Sequence, residues 1–298
     1  MKIVMLGHSG VGKTTYMASM YGLLQSSING FSLGTEYSSD HERLIKNFYS
    51  IKRGSYPNLT AQRSEYKFEL LYNDESVFPF HWVDYRGGAI GERSSSSEQA
   101  RILKEDLLNA NGVIVFCDCP TLESGNIRTS GIQRLINLLS VKLREVSHSI
   151  PIAVILTKAD MVSNLGEHAI KVIEPLLETI RASDNIIGTV MPIACGKEMT
   201  NVEIPLLFNL YVGINLDLHE TSQHIEQHMK EAEHYRDKSN FFDWVESRFS
   251  GVPTWGDLAD GKINEAMSKY YKLQELEPAA ESLGQYLEGL PIIGGGEN

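Results

Sequence analysis

Two widely separated stretches carry residue types at spacings that suit phosphate and purine chemistry. Residues 7 to 14 read Gly7-His8-Ser9-Gly10-Val11-Gly12-Lys13-Thr14, the pattern G-x-x-x-x-G-K-[ST], directly after the apolar run Ile3-Val4-Met5-Leu6 and ahead of Thr15 and Met17-Ala18-Ser19-Met20. Glycines in such a loop let backbone N–H groups converge on a pyrophosphate at a helix start, where the dipole favours negative charge. Lys13 then reaches the β- and γ-phosphates and Thr14 offers its hydroxyl to Mg²⁺. Far downstream, Thr157-Lys158-Ala159-Asp160 follows the strand-like run Ile152-Ala153-Val154-Ile155-Leu156. The Asp160 carboxylate would accept hydrogen bonds from the guanine N1–H and 2-amino group while the alkyl stem of Lys158 lies along the base. Adenine leaves that carboxylate unpaired, so GTP and GDP are expected over ATP.

Between these lies Trp82-Val83-Asp84-Tyr85-Arg86-Gly87-Gly88, an apolar strand ending in D-x-x-G. Asp84 would hold Mg²⁺ through a water, and the Gly87 N–H would contact the γ-phosphate, coupling the loop to the presence of that phosphate. A fourth stretch, Met191-Pro192-Ile193-Ala194-Cys195-Gly196-Lys197, ends another apolar run and is similar to the Ser-Ala-Lys loop whose backbone reads the guanine O6, here at Ala194 and Cys195.

The order, spacing and strand context of these four elements resemble a P-loop GTPase domain of the Ras-like, translation-factor-related (TRAFAC) class, over about residues 1 to 200. Gly54-Ser55-Tyr56-Pro57-Asn58-Leu59-Thr60 resembles the G-x-[WY]-P-x-x-T stretch of the bacterial double-GTPases, families assigned to conflict and signalling systems. Asn201-Val202-Glu203-Ile204-Pro205-Leu206-Leu207 is similar to their segment after the last strand. The resemblance implies that Thr60 is the first-switch threonine, binding Mg²⁺ with its hydroxyl and the γ-phosphate with its N–H, with Thr35 the weaker substitute. Lys13, Thr60, Asp84 and Gly87 are then the catalytic group, and Thr14, Thr60 and Asp84 the metal-side group. Gly88 departs from the Ras-like pattern, which has a water-orienting glutamine there, and a glycine orients no water by a side chain. Three readings remain: a slow switch completed by a protein effector or activator, an assembly-type GTPase completed by its own dimer, or a GTP-binding module that barely hydrolyses. The first is the expected one. Arg63, Arg86 and Glu92 are candidates for a cis contribution, each also explained as an exposed switch residue.

The net charge of −11 is uneven: residues from Val202 onward include 17 acidic and 7 basic side chains, against 21 and 20 before it. An acidic tail disfavours nucleic acid and anionic membranes, which select clustered Lys and Arg. Neither chain end carries a lipidation pattern, so no membrane anchor is expected. No signal peptide or long apolar span is visible, and the three cysteines, Cys117, Cys119 and Cys195, lie in or just after expected strands. A cytoplasmic location follows. Half a zinc site at Cys117-x-Cys119 lacks a matching second pair.

These residues need an α/β scaffold. Strands are expected at 2–6, 64–72, 77–83, 112–117, 151–156 and 189–194, six in a mostly parallel sheet. Asn73-Asp74-Glu75-Ser76 closes a hairpin, which makes one edge strand antiparallel. Helices are expected at 13–26, at about 40–51 (Leu44, Ile45, Phe48 and Ile51 at helical spacing), from the capping-box spacing Ser95-Ser96-Ser97-Glu98, along Ile132, Leu135, Ile136, Leu139 and Leu143, and at about 167–182. The domain is bounded at 1–200, with 201–298 an acidic helical extension. That extension reads as one or two helices over 204–235, another over 240–249, a loop at 253–257, and two more over 263–287 broken near Pro278. In it, His219, His224, His228 and His234 read as a solvated helix face, since no third metal ligand accompanies the i, i+4 pair.

Overall fold

A computed structural model describes residues 1–58, 63–84, 98–125, 127–238 and 255–295. Contacts divide them into two units, Met1–Gly213 with Leu283–Asn298, and Ile214–Ser282.

The first unit is an eight-stranded sheet. Its strands are β1 (Lys2–Gly7), β2 (Phe31–Thr35), β3 (Ser64–Tyr72), β4 (Glu75–Asp84), β5 (Gly112–Asp118), β6 (Ile150–Thr157), β7 (Ile186–Pro192) and β10 (Ile292–Gly294), in the order β10-β7-β6-β5-β1-β4-β3-β2. The five central strands β7, β6, β5, β1 and β4 are parallel. β5 is buried from end to end and so is β6, which explains their unbroken Val/Ile runs: a parallel strand covered by helices on both faces has no polar side. Two further strands, β8 (Ala194–Cys195) and β9 (Met199–Thr200), form a small separate ribbon.

The sheet corrects the six-strand expectation. All six expected strands are present, and β2 and β10 are added, so both edges are antiparallel: β3 and β2 on one side, β10 on the other. The expected strand at 189–194 starts earlier and stops at Pro192. The hairpin is tighter than the four residues suggested, for only Asn73 and Asp74 turn, both at positive φ (52° and 67°). That is the geometry a two-residue turn needs to match strand twist.

The helices of this unit are α1 (Lys13–Leu23), α2 (Ser38–Lys52), α3 (Glu98–Leu108), α4 (Cys119–Ser124), α5 (Ile127–Lys142) and α6 (Glu167–Arg181). Ile132, Leu135, Ile136, Leu139 and Leu143 all face the core, as their spacing requires. Two long helices follow, α7 (Ile204–Lys238) and α8 (Trp255–Tyr286). Two corrections fall here. Trp255, Gly256 and Asp257 are helical rather than loop, and Pro278 lies inside α8 rather than breaking it. Ala279 and Ala280, directly after the proline, are buried. The helix expected at 240–249 lies outside the described residues, as do Ser95, Ser96 and Ser97. In the second unit His224 is about half exposed, whereas His228 is mostly covered and faces Glu265 at 3.4 Å. Among the described residues no group of three metal-ligating side chains occurs.

Candidate functional site

Parallel pairing brings the C-terminal ends of β1, β4, β5 and β6 to one edge of the sheet. In register, Met5 faces Asp84, Gly7 faces Phe116, Asp118 faces Thr157, and Leu156 faces Pro192. Ligands of open α/β sheets bind at that edge.

The loop between β1 and α1 needs positive φ at Gly10 (83°) and Gly12 (98°), a conformation that side-chain-bearing residues rarely adopt. The Gly12 carbonyl accepts the first bond of α1 from the Tyr16 N–H at 2.8 Å. Lys13 is almost wholly buried and donates from Nζ to the Gly7 carbonyl at 2.9 Å and the His8 carbonyl at 3.4 Å. Burial pushes its ammonium below the usual lysine range, opposed by the nearby Asp84 charge. An incoming polyphosphate offers that ammonium stronger, charged acceptors than two carbonyls.

The second half of the site is tied to the first. Thr157 Oγ1 donates to the Val11 carbonyl at 2.7 Å, and Lys158 Nζ donates to the Gly10 carbonyl at 3.0 Å and to Asp118 Oδ2 at 3.2 Å. Lys158 itself sits at φ 57°, turning the chain so that Asp160 follows in a short 3-10 turn. The Ala159 N–H donates to the Ile193 carbonyl at 3.2 Å and the Ile193 N–H to the Leu156 carbonyl at 2.9 Å, which places Ala194 and Cys195 beside the Lys158 turn. Burial pushes the Cys195 thiol up to about 12, so it stays neutral.

These loops enclose a cavity of about 510 Å³, a size suited to a nucleotide-sized ligand. Of the residues singled out in the sequence, Ser9, Gly10, Gly12, Lys13, Thr14, Thr15, Thr157, Lys158, Asp160 and Cys195 line it. Gly7 and Ala194 lie close to these residues in the chain, and His8 and Val11 line a neighbouring space with Ser9, Gly10, Asp118 and Lys158. The Cβ of a side chain at Gly7 would come within 2.8 Å of Phe116 and Val11, and the His8 ring lies against Gly131 of α5. Asp84 is buried at the end of β4. Thr60, Arg86, Gly87, Gly88 and Glu92 lie outside the described residues. Arg63 is held by Asp106 at 2.9 Å and Glu65 at 2.5 Å.

Sequence reasoning missed Asp118 and Met161, and it named Tyr56 as part of a family-like stretch without assigning it to the site. Asp118 joins the site through Lys158 and also accepts the Thr121 N–H at 2.9 Å, capping α4. Its signal was a lone carboxylate ending an otherwise apolar strand. Tyr56 and Met161 line the cavity from the two loops that carry the 54–60 stretch and the 157–160 turn, and only the fold brings their side chains to it.

Comparison with known families decides the identity of this arrangement. A family model described as Double-GTPase 2 matches residues 2–187, more than half of the chain. The chain belongs to the Double-GTPase 2 family. This double-GTPase has the GTP-binding GTPase fold, and solved structures of that fold are similar at low identity. The Arl6 small GTPase from Trypanosoma brucei, with a bound GTP analogue, is 15% identical over 72% of this chain and 96% of its own, TM-score 0.42. Nucleolar GTP-binding protein 1 from Plasmodium falciparum is 14% identical over 76% and 92%, TM-score 0.45. A GTP-binding protein from Sulfolobus solfataricus in complex with GDP is 17% identical over 71% and 51%, TM-score 0.35. Comparison with curated proteins finds no match. Among the described residues, no helix is long and apolar enough to cross a membrane.

Proposed function

We propose that this double-GTPase is a guanine-nucleotide switch that binds GTP with Mg²⁺ and hydrolyses it slowly to GDP and phosphate, with catalysis completed by a protein partner. The observation that carries the reading is the meeting of Lys13, Lys158 and Asp160 on one cavity. A buried ammonium suited to phosphate and a carboxylate suited to the guanine N1–H and 2-amino group line the same space. The metal-side donors are a hydroxyl (Thr14) and a carboxylate (Asp84), hard oxygens that suit Mg²⁺. When bound, the ion neutralises charge on the β- and γ-phosphates.

In this reading the loop N–H groups and Lys13 hold the phosphates, Asp160 and Lys158 hold the base, and Thr60 and Gly87 sense the γ-phosphate. Gly88 supplies no side chain to orient water, which favours a low rate by the isolated protein and leaves that task to a partner. A cytoplasmic setting, an effector that reads the nucleotide state and a role in bacterial defence extend the same reading.

Single-turnover hydrolysis of GTP across a range of protein concentrations tests it. The expected rate is on the order of 10⁻⁴ to 10⁻² per second, as for unassisted switch GTPases, and independent of concentration. A rate that climbs with concentration overturns partner completion in favour of self-assembly. Tight GTP binding with no turnover leaves only a binding module, and equal competition by ATP removes the guanine assignment.

A further inference from the structure

Helix α2 is longer than the core requires. Leu44, Phe48 and Ile51 bury one side of it, but Asp40, Arg43, Asn47 and Ser50 form a second, polar stripe at helical spacing. That stripe faces a cavity of about 450 Å³, to which Arg43, Asn47 and Ser50 contribute one wall and Thr14, Asn58 and Ser64 contribute others. Thr14 and Asn58 also line the nucleotide cavity, so the two spaces meet at the metal-side threonine.

The helix is seated firmly enough to aim a side chain. Gly22 of α1 lies so close that a Cβ there would come within 2.1 Å of the Phe48 ring, and Tyr21 Oη bonds His41 Nδ1 at 2.7 Å. The target is set by the sheet. Phe68, Phe80 and Trp82 form a ring-to-ring file on one face of β3 and β4, and Tyr66 ends it. The Arg43 guanidinium covers the Tyr66 ring, 5.0 Å from its centre. The next residue pair along that face is Ser64 opposite Asp84, about 7 Å further for two residues of strand. Burial raises the Tyr66 phenol, and the charges of Arg43, Asp84 and Asp40 all reach it. Arg43 thus stands one side-chain row from the metal-side carboxylate, parked on Asp40 at 2.7 Å in an exposed pair of the weak kind.

We infer that Arg43 is a catalytic arginine supplied in cis, which leaves Asp40 to contact the γ-phosphate as GTP is hydrolysed. The inference rests on the hydrolysis reading above. The water oxygen bonds to the γ-phosphorus and the bond from that phosphorus to the β–γ bridging oxygen breaks. GDP leaves with the electron pair, and both of the water's protons end on the inorganic phosphate, H₂PO₄⁻. Arg43 transfers no proton; its fixed positive charge and N–H donors stabilise the charge that builds on the γ-phosphoryl and bridging oxygens. The division of labour follows: α2 supplies charge, and a partner supplies the water orientation that Gly88 lacks.

The test uses full-length protein carrying Arg43→Ala, Arg43→Gln and Arg43→Lys, with GDP affinity and far-UV spectra measured alongside. Single-turnover hydrolysis should fall about 30-fold in Arg43→Ala and Arg43→Gln, the ratio between switch GTPases with and without an arginine in cis. Arg43→Lys should recover part of the rate. GDP affinity should stay within about twofold. Wild type should bind GDP with aluminium fluoride, a mimic of the transferring phosphoryl group, and Arg43→Ala should not, a difference that loss of packing on Tyr66 would not produce. Undiminished hydrolysis and an intact fluoride complex in Arg43→Gln overturn the inference and leave the switch reading standing. Absence of turnover in wild type overturns the hydrolysis reading instead.

Discussion

The two ends of the nucleotide cavity are built differently. At the base end the parts are already bonded to one another: Thr157 to the Val11 carbonyl, Lys158 to the Gly10 carbonyl and Asp118, and Ala159 to the Ile193 carbonyl. At the phosphate end Lys13 rests on the carbonyls of its own loop, and in the adjoining cavity Arg43 rests on Asp40. In the proposed reading a base enters a finished socket, whereas a triphosphate draws Lys13 off its resting partners, so a change in the number of phosphates is felt at that end, as a switch requires.

The sharpest way to break this comparison is at Lys13. Lys13→Ala should weaken GTP binding by about 2–5 kcal/mol, the cost of removing a buried partner from a charged pair, with less effect on GDP because fewer phosphate oxygens are lost. Titration of a fluorescent GTP analogue checks this, and equal losses for GTP and GDP would remove the responsive character of that end. Next in size, Asp160→Asn exchanges an acceptor for a donor in the finished socket. GTP affinity should drop by about 1–3 kcal/mol while xanthine nucleotides gain, read by competition against labelled GDP. No gain for xanthine nucleotides would mean that Asp160 does not touch the base. The smallest change is expected from Asp118→Ala, which removes the α4 cap and loosens Lys158. The cap is worth about 1 kcal/mol and the half-exposed Lys158 pair less, so thermal unfolding should shift by a few degrees and saturating GDP should restore part of it. A shift unaffected by GDP would separate Asp118 from the nucleotide site.

Unbroken apolar runs made the buried parallel strands legible, and a 3.6-residue period made the amphipathic helices legible, because both patterns arise from local burial. The edges of the sheet were not. β2, Phe31-Ser32-Leu33-Gly34-Thr35, is a short edge strand interrupted by glycine, and its strand partner is β3. β10 is three residues that pair with Ile187, Gly188 and Thr189, about a hundred positions earlier in the chain, and the Thr189 hydroxyl donates to the Pro291 carbonyl at 2.8 Å. Nothing local in Ile292-Ile293-Gly294 demands a strand; an unpaired edge on β7 does. Pro278 shows the converse, a local breaker inside a continuous helix whose next two residues are buried.

By itself the sequence determined which residue types each loop carries and, at Gly10 and Gly12, the freedom to take a positive φ, because these are local properties. Tertiary structure decided how the loops meet. Parallel pairing put four strand ends at one edge, Lys158 was tied back to Gly10 and Asp118, and Arg63 was engaged elsewhere with Asp106. A helix that reads only as an insertion between α1 and β3 was laid beside Thr14. Those outcomes depend on contacts between residues far apart in the chain, whose free energy belongs to the packed core and to no single segment.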